Sequence, residues 1–185
     1  MRRVWVIGAS GSGKTTLAEE LARRLGVPHI ELDAMHHGPD WAEPDLDEFR
    51  ETVAAVASGD AWVIDGSYRS KLGDLVPDAA DTLVWLDLPL PVTLSRMLWR
   101  SGIRIWRGTE LWNGNRESVH GVLWGRESLL WWSVARRHDQ RTELPALFAK
   151  PGYAEKTIVR LRSASQVERW LSAVVPVAQP PAGGS

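Results

Sequence analysis

The feature that most constrains this chain is a glycine-rich segment near its start. The segment reads Gly8-Ala9-Ser10-Gly11-Ser12-Gly13-Lys14-Thr15 and matches the pattern G-x-x-x-x-G-K-[ST]. An apolar run typical of a buried strand precedes it at 4–7, and helical periodicity follows it at 15–25. Such glycines let successive N–H groups turn inward, and the helix directs the positive end of its dipole to the same point. The segment therefore predicts a phosphate-binding loop, in preference to a glycine-rich turn with an incidental lysine.

The loop also predicts which groups of a nucleotide are held. We expect Lys14 to reach the β- and γ-phosphates and the hydroxyl of Thr15 to bind Mg²⁺. ATP is favoured over GTP because the sequence has no N-K-x-D motif for reading guanine. The residues predicted to contact the nucleotide are Gly8, Ser10, Gly11, Ser12, Gly13, Lys14, Thr15 and Thr16.

Short apolar runs alternate with helical patterns along most of the chain. Strands are predicted at 4–7, 29–32, 61–64, 82–86 and 157–161. Helices are predicted at 15–25, 45–57, 92–106, 126–138, 142–149 and 165–174, with a turn and a short helix at 67–76. The alternation predicts an α/β P-loop NTPase fold, with a mostly parallel sheet of about five strands and helices on both faces.

The same reading predicts the organisation of the chain. Residues 1–174 are expected to form a single domain that includes a helical lid rich in arginine at about 96–125. The end of the chain, 175–185, is rich in Pro, Gly and Ala and is expected to be a disordered tail. No apolar run is long enough for a signal peptide or a membrane span, and the chain contains no cysteine, which favours the cytoplasm.

Acidic residues follow three of the predicted strands. Ligands of open α/β sheets bind beyond the carboxyl ends of the strands, where Asp33, Asp65 and Asp87 lie. Asp65 is predicted to hold Mg²⁺, directly or through water, and Asp33 to orient or deprotonate the hydroxyl of an acceptor. A structural role is favoured for Asp87. Each of the three has an alternative role as a cap of a helix or turn.

Basic residues are concentrated in the second half of the chain. Residues 27–95 carry fourteen acidic and three basic side chains, whereas 96–141 carry nine arginines and four acidic side chains. Arg96, Arg100, Arg104 and Arg107 share one face of a predicted helix, where their mutual repulsion would be relieved by a polyanion. Phosphate contact is predicted for Arg96, Arg100 and Arg116, and the alternative is a solvated face paired with acidic residues.

Aromatic residues are also abundant, with eleven tryptophans in the chain. We expect most of them to serve packing, although tryptophans interleaved with arginines are also typical of surfaces that stack single-stranded nucleic acid. Trp41 has the alternative role of stacking on a substrate that carries a ring. The adjacent His36 and His37 are not expected to bind a metal, because they lack a partner motif.

The segment Trp62-Val63-Ile64-Asp65-Gly66-Ser67-Tyr68-Arg69 resembles the hydrophobic-Asp-Gly-Phe-Pro-Arg segment of adenylate kinase and related nucleoside monophosphate kinases. The resemblance implies that Asp65 serves the Mg²⁺ site and that Arg69 grips phosphates. Arg96 and Arg100 resemble the R-x-x-x-R pair at the beginning of the lid segment of adenylate kinase. The resemblance implies that these arginines contact adenine and phosphates. Tyr68 stands where those enzymes carry proline. The sequence leaves the chemical identity of the phosphoryl acceptor open.

A closer resemblance is to the adenylate kinase-like subgroup labelled DNA topology modulation proteins. It covers about residues 4–172 and is carried by the segments 32–41, 62–69 and 111–118. The first reads LDAMHHGPDW and the last reads LWNGNRES.

These observations together predict an ATP-dependent phosphotransferase that transfers the γ-phosphoryl group to a small acceptor. The residues predicted to act in catalysis are Lys14, Asp33, Arg69, Arg96, Arg100 and Arg116. The alternatives are a nucleotide-dependent regulator or nucleic-acid-binding ATPase, and a nucleotide-binding protein that has lost catalysis. The near-neutral net charge of −1 disfavours nucleic acid as the main partner. The oligomeric state is left open.

Overall fold

Five parallel strands form the centre of the protein. The computed structural model describes residues 1–108 and 129–174. The strands are β1 (Arg3–Gly8), β2 (His29–Glu31), β3 (Trp62–Asp65), β4 (Thr82–Leu86) and β5 (Thr157–Leu161). They lie in the order β2-β3-β1-β4-β5, and all four pairings are parallel. This is the α/β P-loop NTPase fold that the sequence predicted, with β1 in the middle of the sheet.

The strands are connected by helices of very different length. The described helices are α1 (Lys14–Leu25), α2 (Leu32–His36), α3 (Leu46–Ala57), α4 (Arg69–Leu72), α5 (Leu75–Ala79), α6 (Leu90–Arg107), α7 (Leu129–Phe148) and α8 (Ala164–Ala173). Single 3₁₀ turns occur at Pro39–Trp41 and Pro151–Tyr153.

Apolar side chains cover both faces of the sheet. Successive side chains of a strand point to opposite faces, so Trp5 and Val4 belong to different core clusters. The face of Trp5 is covered by α3, α5 and the end of α7, whereas α1 and α8 cover the face of Val4. Because β1, β3 and β4 are buried on both faces, they read as nearly continuous apolar runs, which made them recognisable from sequence. β2 is half-buried, and β5 is mostly exposed.

Two predicted elements differ from the structure. The described parts of the helices predicted at 126–138 and 142–149 belong to one helix, α7, that is continuous from Leu129 to Phe148. Residues 126–128 lie outside the described residues. The polar run between the two predicted helices interrupts the apolar periodicity, but helical hydrogen bonds do not depend on apolar side chains. Thr142 Oγ1 also donates to the carbonyl of Asp139 at 2.9 Å within this run.

The second difference concerns the end of β2. Residues 29–32 were predicted as a strand followed by a loop, but β2 ends at Glu31 and α2 begins at Leu32. Leu32 is buried and lies so close to Gly66 that a Cβ built on this glycine would be 2.9 Å from the Cβ of Leu32. The chain therefore turns at this contact, and Asp33 lies in the first turn of a helix. Arg116, most of the predicted lid and the predicted tail lie outside the described residues.

Candidate functional site

The glycine-rich loop occupies the space between β1 and α1. Gly11 and Gly13 have φ angles of 77° and 87°, in the left-handed region that favours glycine. A Cβ on Gly11 would lie 2.1 Å from the backbone oxygen of Thr93, so this position also requires a residue without a side chain. The space beside Gly13 is open, with nothing within 4 Å of where its Cβ would be. The loop therefore presents backbone to an open space at the start of α1.

The start of α1 offers polar groups to that space. Gly13 caps the helix without a side-chain hydrogen bond, which leaves N–H groups of the first turn for a ligand. Ser12 Oγ is buried and has no hydrogen-bond partner among the residues that the structure describes. Ser10 is half-buried and Thr16 is exposed. Backbone N–H groups of the first turn suit an anion such as a phosphate group, whereas Ser12 Oγ is covered and lies beside Gly8.

Lys14 lies between two carboxylates. Its Nζ donates to Asp33 Oδ2 at 2.9 Å and lies 3.4 Å from Asp65 Oδ1. Burial alone would lower the pKa of Lys14, but the charges of Asp33 and Asp65 outweigh it and raise the pKa above its usual value. Lys14 is therefore a cation at neutral pH, held in place at the mouth of the loop.

Thr15 brings its hydroxyl to a group of carboxylate oxygens. Thr15 Oγ1 lies 3.2 Å from Asp65 Oδ1 and 3.4 Å from Glu31 Oε1. Glu31 and Asp65 are partners in the register of β2 and β3, which places both carboxylates at the same edge of the sheet. The sequence reasoning named Thr15 and Asp65 but missed Glu31, whose position follows only from this pairing.

A histidine fixes the other oxygen of Asp65. His29 Nε2 lies 2.7 Å from Asp65 Oδ2, and Asp65 is fully buried. This hydrogen bond is the main reason that the pKa of His29 is raised. Because Oδ2 is engaged by His29, Oδ1 faces Thr15 and Lys14. His29 was also missed from sequence, since nothing in the sequence marks it as a neighbour of Asp65.

The His29–Asp65 pair is expected to make stability depend on pH. A raised pKa means that the folded protein binds the proton more tightly, so this contribution is complete below about pH 6.5 and is lost as the pH rises through the folded pKa. We expect His29→Gln to lower the free energy of unfolding by about 1 kcal/mol at low pH and by less at high pH. Urea unfolding of both proteins from about pH 6 to pH 9 measures the difference. A difference that stays constant over this range would contradict the charged pair.

Asp33 takes part in a second network that leads away from the loop. Tyr68 OH donates to Asp33 Oδ1 at 2.8 Å and lies 3.4 Å from His37 Nε2. Burial would raise the pKa of Asp33, but Lys14 and the hydrogen bonds from Lys14 and Tyr68 lower it, so the carboxylate is ionised. Burial and the charge of Asp33 raise the pKa of Tyr68, which keeps the phenol protonated as a donor. Asp33 is thus oriented on both of its oxygens.

The predicted arginines do not all lie together. Arg69 forms ion pairs with Asp74 at 2.7 Å and Glu143 at 3.2 Å. Arg96 and Arg100 are exposed on α6, the helix whose first turn carries the Thr93 carbonyl that contacts Gly11. The structure therefore brings together Lys14, Thr15, Asp33 and Asp65. Arg69 lies on α4, and Arg96 and Arg100 lie on α6.

Asp87 belongs to a separate cluster of charges. Its carboxylate accepts hydrogen bonds from Arg141 at 2.8 Å and from Arg160 at 2.6 Å. These bonds connect α7 and β5 to the end of β4, which agrees with the structural role predicted for Asp87. Among residues 1–108 and 129–174, no helix has the length and apolar character needed to cross a membrane.

The comparisons with known proteins agree with this fold. A family model described as an AAA domain matches residues 4–173. No curated protein matched the chain significantly. Among solved structures, the shikimate kinase of Acinetobacter baumannii in complex with shikimate has a TM-score of 0.57 at 12% identity, over 93% of this chain and 89% of its own.

Two further kinases have similar folds. A gluconokinase from Sinorhizobium meliloti 1021 has a TM-score of 0.50 at 22% identity, over 92% of this chain and 94% of its own. A shikimate kinase from Bacteroides thetaiotaomicron has a TM-score of 0.50 at 19% identity, over 92% of this chain and 94% of its own. At these identities the likeness concerns the fold alone. The match of the family model over almost the whole length nevertheless shows that the chain belongs to the AAA-domain family of P-loop proteins.

Proposed function

We propose that this protein is an ATP-dependent phosphotransferase that acts on a small acceptor with a hydroxyl group. The observation that carries the proposal is the convergence of Lys14, Thr15, Asp33 and Asp65 beside the start of α1. A loop that only binds phosphate has no need of Asp33, whose ionised carboxylate lies 2.9 Å from Lys14. A kinase needs such a group for its acceptor.

The donor set at the loop fits a nucleotide with Mg²⁺. Thr15 Oγ1 and the carboxylates of Asp65 and Glu31 supply oxygen atoms, which Mg²⁺ prefers, and phosphate oxygens complete its shell in such sites. Bound Mg²⁺ neutralises negative charge on the phosphates. Lys14 would exchange its carboxylate partners for the β- and γ-phosphates, and backbone amides of the 8–15 loop would hold the phosphate chain. The amide of Ser12 donates to Ala9 O at 3.0 Å within the loop. ATP is proposed as the nucleotide.

Asp33 is the proposed partner of the acceptor. The acceptor oxygen attacks the γ-phosphorus, the bond from that phosphorus to the β–γ bridging oxygen breaks, and ADP leaves with the electron pair. The proton of the hydroxyl passes to the Asp33 carboxylate and then to water. Tyr68 holds the other oxygen of Asp33, so the accepting oxygen has a fixed direction.

Arginines are proposed to stabilise charge on the transferred group. Arg96 and Arg100 lie on α6, which packs on the loop at Gly11, and Arg116 is assigned the same role from sequence. Arg69 is proposed to grip phosphates when it exchanges its present ion pairs. The cytoplasmic location and the membership of the DNA topology modulation subgroup stay predictions.

A screen for ADP release tests the proposed function. Nucleosides, nucleotides and hydroxylated metabolites are supplied with ATP and Mg²⁺, and a phosphorylated product is identified for each positive. The proposal requires ADP formation that depends on one class of acceptor. ADP formation that only DNA stimulates would contradict it.

A nucleic-acid-binding ATPase is the second candidate, because two tryptophans lie exposed on the helix that carries the arginines. Trp99 and Trp106 are 74% and 83% exposed on α6. Stacking on exposed aromatic rings beside arginines is a common mode of binding single strands. Steep loss of oligonucleotide binding with salt, together with stimulated hydrolysis, would favour this function over the kinase.

Removing Arg100 tests the role of α6. We expect Arg100→Ala to slow turnover at least about tenfold, because one cation that stabilises the transferred group is lost. Binding of ATP, measured by calorimetry, is expected to persist. Arg23→Ala is the matched control, since Arg23 lies exposed on α1 and pairs with Glu20. Equal turnover in the two variants would remove Arg100 from the mechanism.

A further inference from the structure

Two short helices at the candidate site are joined by two side-chain hydrogen bonds. Tyr68, the cap of α4, donates its OH to Asp33 Oδ1 on α2 at 2.8 Å. Three residues further along each element, Lys71 Nζ lies 2.8 Å from His36 Nε2. Residues three apart on a helix share one face, so the two hydrogen bonds lie side by side. The second bond therefore supports the first, which orients the proposed base.

His36 also packs directly against Tyr68. His36 is 3% exposed, and its ring lies edge-on to the ring of Tyr68 at a centroid distance of 4.5 Å. Phe49 of α3 packs against both rings, with centroid distances of 5.0 Å and 5.6 Å. The backbone amide of Lys71 donates to Tyr68 O at 2.9 Å. A displacement at His36 or Lys71 is therefore transmitted to Tyr68, because closely packed groups cannot move independently.

The contact with Lys71 fixes the protonation state of His36. An ammonium group has only donors, so His36 Nε2 must supply a lone pair and the imidazole is neutral. Its proton is then on Nδ1, which is buried and has no hydrogen-bond partner among residues 1–108 and 129–174. Burial and the charge of Lys71 lower the pKa of His36, which agrees with the geometry.

Glu43 offers His36 another partner when the imidazole takes a proton. Glu43 Oε2 holds Lys71 Nζ at 2.6 Å, and Glu43 Oε1 lies 3.3 Å from His36 Nε2. A protonated Nε2 cannot accept from Lys71 but can donate to Glu43. The side chain of Lys71 is 31% exposed, so it has water to enter when the two cations repel each other. Protonation of His36 therefore breaks its bond to Lys71.

Three further basic groups lie near this contact, namely His37 at the end of α2, Arg50 of α3 and Arg136 of α7. A positive charge on His37 disfavours a second charge on His36. Arg50 donates to the backbone oxygen of Lys71 at 2.7 Å, and Arg136 donates to the backbone oxygen of the residue before Tyr68. These groups help to set the pH at which His36 is protonated, whereas Lys71 and Glu43 contact its ring nitrogen directly.

We propose that neutral His36 is a positioning residue that holds Tyr68 against Asp33, and that protonation of His36 by solvent releases this hold. The contact itself does not depend on the protein being a kinase. Its effect on turnover rests on the proposed function and deepens it, because Asp33 is then directed at the acceptor only while His36 is neutral. The hold is complete above about pH 6.5 and is lost as the pH falls through the lowered pKa of His36.

NMR of the whole protein tests the inference without turnover. Histidine labelled with ¹⁵N reports the tautomer and the charge of His36, and tyrosine labelled with ¹³C at Cζ reports Tyr68, one of two tyrosines in the chain. The variants His36→Phe and Tyr68→Phe assign the signals. We expect the neutral Nδ1–H tautomer of His36 at about pH 8. On acidification, the signal of Tyr68 should shift with the midpoint of His36, whereas that of Tyr153 should not.

Two variants with opposite expected effects test the exchange of partners. Lys71→Met removes the positive neighbour, so the midpoints of His36 and Tyr68 should both rise by about half a pH unit or more. Glu43→Gln removes the negative neighbour, so both midpoints should fall by a similar amount. Glu168→Gln is the control and should move neither midpoint, since Glu168 lies exposed on α8, which covers the other face of the sheet.

Four results would overturn the inference. These are a charged His36 at about pH 8, a His36 that stays neutral until the protein unfolds in acid, a Tyr68 signal that does not follow His36, and midpoints that move in the same direction in Lys71→Met and Glu43→Gln. The variant His37→Gln adds a further check, because loss of the Tyr68 response there would assign the response to His37 instead.

Turnover separates this inference from the proposed function. With an acceptor from the screen, the acid loss of turnover should move to higher pH in Lys71→Met and to lower pH in Glu43→Gln. If an acceptor is phosphorylated and neither variant moves this loss, the kinase function stands and the inference fails. If the NMR results hold and no acceptor is phosphorylated, the kinase function fails and the hold on Tyr68 remains.

Discussion

Replacing Lys14 with alanine is expected to slow phosphoryl transfer by about a thousandfold or more. Removal of one cation or donor that stabilises the transferred group has effects of this size in other enzymes. The variant also leaves Asp33 without its cation, whereas the buried Asp65 loses Lys14 but keeps His29. We therefore expect a loss of roughly 1–3 kcal/mol in the free energy of unfolding as well.

The two effects of Lys14→Ala are separated by measurement. Turnover is followed with the acceptor found in the screen, ATP binding by calorimetry, and stability by urea unfolding. Lys156→Ala is a suitable control, because Lys156 donates to the carbonyls of Asp78 and Ala80 at the start of β5. If calorimetry detects no heat when ATP and Mg²⁺ are added to the folded wild type, and Lys14→Ala changes no activity, then the assignment of the loop as a nucleotide-binding site is wrong.

The second large effect is expected from Asp33→Asn. The amide keeps the shape of the side chain but cannot take a proton, so turnover should fall at least about a hundredfold. Lys14 also loses its nearest negative charge, at 2.9 Å, and becomes available to phosphates. Affinity for ATP with Mg²⁺ is therefore expected to stay equal or to rise.

This opposite response of turnover and affinity distinguishes an acceptor residue from a nucleotide ligand. Asp47→Asn serves as the control, since its side chain lies exposed on α3. Turnover like that of the wild type would exclude Asp33 as the base. A parallel loss of ATP binding would instead assign Asp33 to the nucleotide site.

Much of the fold was predictable because the three central strands, β3, β1 and β4, are buried on both faces. β1 and β4 read as plain apolar runs, and the loop motif fixed the direction of the chain between β1 and α1. The continuity of α7 was not predictable from apolar periodicity, since the contacts of its polar middle include the Arg141–Asp87 ion pair, which the local sequence does not reveal. A contact between residues 54 positions apart leaves no local signal.

The residues of the candidate site also include some that the sequence predicted and some that it did not. Lys14 and Thr15 follow from a motif, and Asp65 follows from its place after a strand. Glu31 and His29 approach Asp65 only because β2 pairs with β3 in one particular register, and a shift by one residue would point both of them to the opposite face. Tyr68 was noticed only as a replacement for proline, although its hydroxyl is what orients Asp33.

The contact between Gly11 and α6 limits how this protein can close around a substrate. The loop is packed against the Thr93 carbonyl and the buried Met97, so the first two turns of α6 are fixed to the floor of the site. Arg96 directly precedes Met97, so we expect it to keep a nearly constant distance from the loop whichever ligand is bound.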